Sequence, residues 1–176
     1  MQLIKSRSVR LKILSANLFA VWLILVFISP LLVASSAVND LNGKVGELDN
    51  QNVIEEMNLV PRTIYTMGDI YCHQKSERSY FVNGNQMPFC SRDVGIFIGL
   101  FLGMIASLLM PGFKITLPLF LLLFLPLAID GSLQLLTNYE SINILRVITG
   151  IFAGTAVSFL ISMLLDELLE KQRKRE

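Results

Sequence analysis

The chain has 176 residues, is 53% apolar and only 16% charged, and carries a formal net charge of +1. That balance excludes a nucleic-acid partner gripped by a basic face. With the apolar residues gathered into four long runs, it also excludes a water-soluble core as the main architecture.

The first run, Ile13 to Ala34, has no charged residue and follows Lys5, Arg7, Arg10 and Lys12. At about 1.5 Å per residue it reaches roughly 33 Å, enough to cross a bilayer. Ser35-Ser36-Ala37 could pass for a signal-peptidase site, but the run is longer than the roughly 7 to 15 residues of a signal core, so a retained helix is expected.

A polar stretch from Ser36 to Asp93 comes next. Val38, Leu41, Val45 and Leu48 repeat at helical spacing, so the first half reads either as a helix continuing from the first span, weakened by Gly43 and Gly46, or as a partly ordered connector. After Pro61, Ile64, Met67 and Tyr71 share a face, and a short amphipathic helix over Arg62 to Tyr71 is expected to deliver Cys72 and His73 to the membrane surface. Asn83-Gly84-Asn85 predicts a tight turn.

Three further spans follow: Val94 to Met110, stopped by Pro111-Gly112; Ile115 to Leu136, interrupted by Pro118, Pro126 and Asp130; and Ile142 to Leu165, holding Arg146 and running into a charged tail, 166–176. The expected fold is a single all-α integral membrane domain, 1–176, with four transmembrane helices over about 13–34, 94–110, 115–136 and 142–165 and a long loop, 36–93, between helices 1 and 2. Nine Lys or Arg residues flank the ends on one side, whereas the 36–93 loop holds five Lys or Arg against eight Asp or Glu. The positive-inside rule therefore puts both termini in the cytoplasm and the loop outside, in a multi-pass protein of the cell membrane.

The loop holds all the residues suited to metal or redox chemistry: Cys72, His73, Cys90 and Asp93 include both cysteines and the single histidine. Thiol, imidazole and carboxylate are the groups that bind zinc or copper, and an Asp oxygen can replace a thiolate. The residues leave two exclusive states open, a metal site on Cys72, His73, Cys90 and Asp93 or a Cys72–Cys90 disulfide. Closing a loop of that size in an oxidising compartment is worth on the order of 3 kcal/mol.

Inside the membrane, Asp130, Gln134, Asn143 and Arg146 form a polar cluster. Asp130 and Arg146 fall at matching depth, where an unpaired charge costs about 2.5 to 3.5 kcal/mol, so a pair between them is expected. With Arg78, Arg92 and His73 above, the same residues could line a polar pocket. Gly95, Gly99, Gly103 and Ser107, and again Gly150, Gly154, Ser158 and Ser162, recur every four residues. Such small-residue ridges let helices approach closely in lipid, against each other or against a partner.

Cys72-His73-Gln74, Arg78-Ser79-Tyr80-Phe81 and Cys90-Ser91-Arg92-Asp93 followed by Gly95-Ile96 resemble the hallmark of a family of small, uncharacterised prokaryotic membrane proteins, a domain of unknown function. A second stretch is similar, with Pro126, Asp130-Gly131, Gln134, Glu140-Ser141, Asn143, Arg146 and Thr149-Gly150. The family pattern has Cys-x-x-Cys where this chain has Cys90 and Asp93, so a redox-active Cys-x-x-Cys couple cannot form. The resemblance brings no activity with it.

No phosphate-cradling loop, Ser/His/Asp set or metalloprotease motif is present, and no internal repeat supports a transporter. Two function classes fit. One is a non-catalytic accessory or structural subunit, packed in the lipid bilayer against other integral membrane proteins of a larger complex such as a metallo-oxygenase of the archaeal ammonia or methane monooxygenase type. The other is a stand-alone outer-face metal-binding membrane protein or metalloenzyme.

Overall fold

The computed structural model describes residues 2–41 and 43–174, the side chains of residues 2–6 and 173 excepted. Its elements in chain order are α1 (Gln2–Ile28), a 3-10 turn (Ser29–Leu32), α2 (Gln51–Ile54), α3 (Leu59–Tyr71), a 3-10 turn (Ser76–Arg78), a hairpin of β1 (Phe81–Val82) and β2 (Asn85–Gln86), α4 (Ser91–Leu109), α5 (Leu117–Leu136) and α6 (Asn143–Arg173). Among the described residues, four helical stretches are long and apolar enough to cross a membrane: Arg7–Leu32, Ser91–Leu109, Leu117–Leu136 and Asn143–Gln172.

The helix ends depart from the expected ones for identifiable reasons. α4 begins at Ser91, three residues before the apolar run, because Cys90 has the extended backbone of an N-cap and its carbonyl accepts from Val94. α6 runs on to Arg173, so residues 166–173 continue the helix and only 175 and 176 of the expected tail lie outside the described residues. Nothing in Leu-Leu-Asp-Glu-Leu-Leu-Glu-Lys-Gln breaks a helix. Asp166 also anchors it, accepting from Ser8 Oγ and from Lys12 Nζ, the latter at 2.7 Å. Pro30 and Pro118 sit in first turns, where the missing N–H leaves nothing unsatisfied.

α4 and α6 form the tightest pair. A Cβ on Gly99 would stand 2.3 Å from the Ile151 carbonyl oxygen, one on Gly95 2.4 Å from that of Val147, and one on Gly154 2.2 Å from that of Ile96. The two ridges of small residues therefore face each other within the chain. Ser158 Oγ donates to the Leu100 carbonyl at 2.9 Å and Thr155 Oγ1 to that of Gly99 at 3.3 Å, adding polar bonds where hydrocarbon cannot compete. α1 joins α4 through Trp22, which meets Phe89 and Phe97 edge-on at 5.7 and 5.6 Å. α5 packs on α6, and among the described residues Asp130 is its one buried position.

The 36–93 loop is a folded lobe. The segment after Leu32 is not a helix: Val38 and Leu41 are buried while Val45 and Leu48 are exposed, because the chain runs against the hairpin instead of continuing α1. The Val38 N–H donates to Asn85 Oδ1 at 2.9 Å and its carbonyl accepts from the Gln86 N–H at 2.7 Å. The Asn85 amide donates to the carbonyls of Pro30 and Ala34 at 2.9 and 3.0 Å, which satisfies acceptors left open where the first span ends. Asn83 and Gly84, both at positive φ (56° and 71°), make the two-residue hairpin turn that Asn-Gly predicts.

α3 forms slightly earlier than the expected Arg62 to Tyr71 and buries another stripe. Pro61, Ile64, Tyr65, Gly68 and Asp69 face inward, while Met67 and Tyr71 are exposed. The inner stripe is half polar because the lobe's core is built on side-chain amides. Tyr65 Oη donates to the Gln86 carbonyl at 2.6 Å, Gln74 Nε2 to that of Pro88 at 2.8 Å, and the Asn50 N–H to Asp69 Oδ2 at 3.1 Å. Each of these buried groups has a partner, which is what makes a polar core stable.

Candidate metal centre

Two helix ends meet in the lobe. Cys72 is the C-cap of α3 and Cys90 the N-cap of α4. Gly68 allows the meeting: a Cβ there would fall 1.9 Å from the Pro88 carbonyl oxygen, so only glycine lets residues 88–90 lie against α3. The Cys90 N–H then points at Cys72 Sγ, 3.3 Å away, and Cys90 Sγ lies 3.2 Å from Asp93 Oδ2, three residues on in the first turn of α4. The ligand atoms of Cys72, Cys90 and Asp93 all lie within 4.8 Å of one another. Both cysteines are free thiols.

The three groups of the cluster act on one another electrostatically. Hydrogen bonding to Cys90 first, then burial, and then the negative charges of Cys90 and Asp93 push the Cys72 thiol well above its ordinary range. The N-terminus of α4 offers partial positive charge to Cys90 and Asp93, but only partial.

His73 is not part of the cluster. Its side chain is exposed, because Cys72 is extended (φ −133°, ψ 149°) and neighbouring side chains on extended backbone point to opposite sides. Of the four candidate ligands, the fold brings together Cys72, Cys90 and Asp93 and leaves His73 at the rim. Gln74, the third residue of the Cys-His-Gln motif, is a fully buried structural residue at φ +44°.

The cluster opens on a cavity of about 170 Å³, whose wall includes His73, Lys75, Arg78, Arg92, Gln134 and Arg146. Here the expected pair of Asp130 with Arg146 is corrected. Asp130 Oδ2 bonds Arg92 at 2.5 Å, and Gln134 Oε1 accepts from the same guanidinium at 3.0 Å. Because α4 starts early, Arg92 sits in its first turn and its long side chain reaches α5. Arg146 pairs instead with Glu140 at 3.1 Å and takes Asn143 Oδ1 at 3.0 Å. Glu140 also binds Arg78 at 2.7 Å. Sequence reasoning missed Glu140 as a bridge, since an exposed acid in a turn carries no signal of its partners.

The family described as "Predicted membrane protein (DUF2085)" matches residues 72–160, from the first cysteine of the cluster through most of α6. An uncharacterized protein of Methanocaldococcus jannaschii is 38% identical over 115 residues, 63% of this chain and 74% of that protein. An uncharacterized protein of Methanothermobacter thermautotrophicus is 40% identical over 95 residues, 53% of this chain and 86% of the relative. No solved structure matches the chain.

Proposed function

The chain belongs to the predicted membrane protein family DUF2085, and from that premise we propose that it is a metal-binding protein of the lipid bilayer that holds a zinc-class ion on Cys72, Cys90 and Asp93. The observation that carries this reading is the convergence of two sulfurs and a carboxylate oxygen within 4.8 Å of one another. Zinc accepts thiolate and carboxylate together, and copper is the other ion for which the sulfurs are suited. Three protein ligands would leave a fourth position for another group, and all three residues line the cavity. That is the pattern of a site that binds or activates a further molecule rather than one that only staples a fold. The charge asymmetry of the sequence supports an outer-face position for the lobe.

A disulfide would consume both sulfurs and is the exclusive alternative at the same two residues. The accessory-subunit reading rests on the outer loop and on the small-residue ridges as surfaces for a partner. Those ridges are occupied by each other, α4 on α6, and lend it no support.

Metal analysis of the purified full-length chain, chelated and then titrated with zinc under reducing conditions, tests the proposal. One equivalent per chain is expected. Cys90→Ser and Asp93→Asn should weaken binding by at least the 10–100-fold that losing an outer-shell partner costs, while His73→Ala retains it. Absence of stoichiometric binding, or a native mass two hydrogens light, would overturn the reading.

A further inference from the structure

The cavity wall holds a set of donors that the metal reading does not use. The Nε atoms of Arg78, Arg92 and Arg146 and the Nε2 atom of Gln134 are buried and, among the described residues, without a hydrogen-bond partner. Arg146 is 2% exposed. Glu77 Oε1, 3.8 Å from Arg78 Nε, is too far to bond it. All four side chains line the one cavity. Buried N–H groups are costly to leave unmet, and all four belong to side chains gathered around this single space.

We propose that this cavity binds a tetrahedral oxyanion of the phosphate class, held by Arg78, Arg92, Arg146 and Gln134 above the thiol–carboxylate cluster. The donors come from four different elements: the Ser76–Arg78 turn, α4, α5 and α6. A planar carboxylate offers two oxygens, whereas phosphate offers one to each element. Glu140 shows the spacing, since its two oxygens bind Arg78 at 2.7 Å and Arg146 at 3.1 Å, so these guanidiniums stand at the separation of two oxygens on one anion. Asp130, Glu140 and, at 3.8 Å, Glu77 are the close carboxylates of the three guanidiniums, so the site is carried by its unmet donors and not by surplus charge. The oxyanion site rests on its own donors and does not require the metal. A free phosphate and a lipid phosphate head group present the same chemistry.

The test uses full-length protein in phosphate-free nanodiscs of neutral glycolipid, stripped of metal, titrated calorimetrically with inorganic phosphate, and in parallel discs containing phosphatidic acid. Saturable one-to-one binding of inorganic phosphate is expected, weakened about tenfold or more in Arg78→Gln and in Gln134→Met. Both substitutions fall at half-buried positions and leave the helix pairs intact. A rise in thermal midpoint seen only in the phosphatidic acid discs, and lost in the same variants, supports the oxyanion site and assigns it to a head group. No binding of either probe, or variants that bind as tightly as the parent, would overturn the proposal whether or not zinc binds.

Discussion

Asp130 is the one buried residue of α5 among those described, and it is charged, so a single ion pair with Arg92 ties that helix to the start of α4. Removing one partner of such a pair leaves a buried charge, which typically costs about 3 to 5 kcal/mol. Asp130→Ala should therefore be strongly destabilising in detergent, and Arg92→Ala on top of it should restore part of the loss. A double-mutant cycle checks this: strong coupling between 130 and 92 with near additivity between 130 and 146 is expected. Tyr65 makes a second residue-level test. Burial pushes its phenol above the ordinary value of about 10. The folded state then keeps the proton where the unfolded chain gives it up, so this stabilisation is complete below about pH 10 and is lost as pH rises further. Tyr65→Phe should flatten the alkaline fall in thermal midpoint, at a cost of about 1 to 3 kcal/mol at neutral pH for the orphaned Gln86 carbonyl.

Helix packing turns on glycine positions that differ in what surrounds them. At Gly99 an added methyl meets the backbone of α6 at 2.3 Å, whereas at Gly131 the nearest atom is the end of Arg92 at 3.9 Å. Gly99→Ala should lower the stability of the helix pair by about 1 to 3 kcal/mol, the usual cost of overpacking. Gly131→Ala should be neutral or gain up to about 1 kcal/mol from helix propensity, and thermal unfolding of the two variants side by side separates them. The spans themselves were legible because hydrocarbon demands long apolar runs, and the ridges because spacing by four marks one helical face. Helix ends were not: whether Ser91 to Asp93 joined α4, and whether 166–173 joined α6, depended on a cap and on an ion pair with Lys12. The lobe was least legible, since Asn50, Tyr65, Gln74, Asn85 and Gln86 build a buried polar core from residues that ordinarily read as solvated loop. Cys72, Cys90 and Asp93 could be singled out by residue type, but the exclusion of His73 depended on one extended backbone position.

The whole molecule combines a tight α4–α6 pair, flanked by α1 and the loosely held α5, with a lobe that closes over one end of the bundle. Lys and Arg crowd the opposite end, so the lobe should face outward. Cysteines placed by Glu55→Cys and Lys171→Cys, after Cys72 and Cys90 are changed to Ser, test this on intact cells with an impermeant thiol reagent. Labelling at 55 alone is expected, and labelling at 171 alone would invert the arrangement. In that orientation the cluster and its basic cavity sit at the membrane surface, where a metal ion and an oxyanion can both arrive from outside. Because both sulfurs must lose protons to bind metal, affinity should fall as pH is lowered. X-ray absorption at the zinc edge of the loaded, full-length protein addresses the metal centre most directly. Two sulfur neighbours at about 2.3 Å with oxygen or nitrogen at about 2.0 to 2.2 Å are expected, reduced to one sulfur in Cys90→Ser; a shell of oxygen and nitrogen alone would contradict the account.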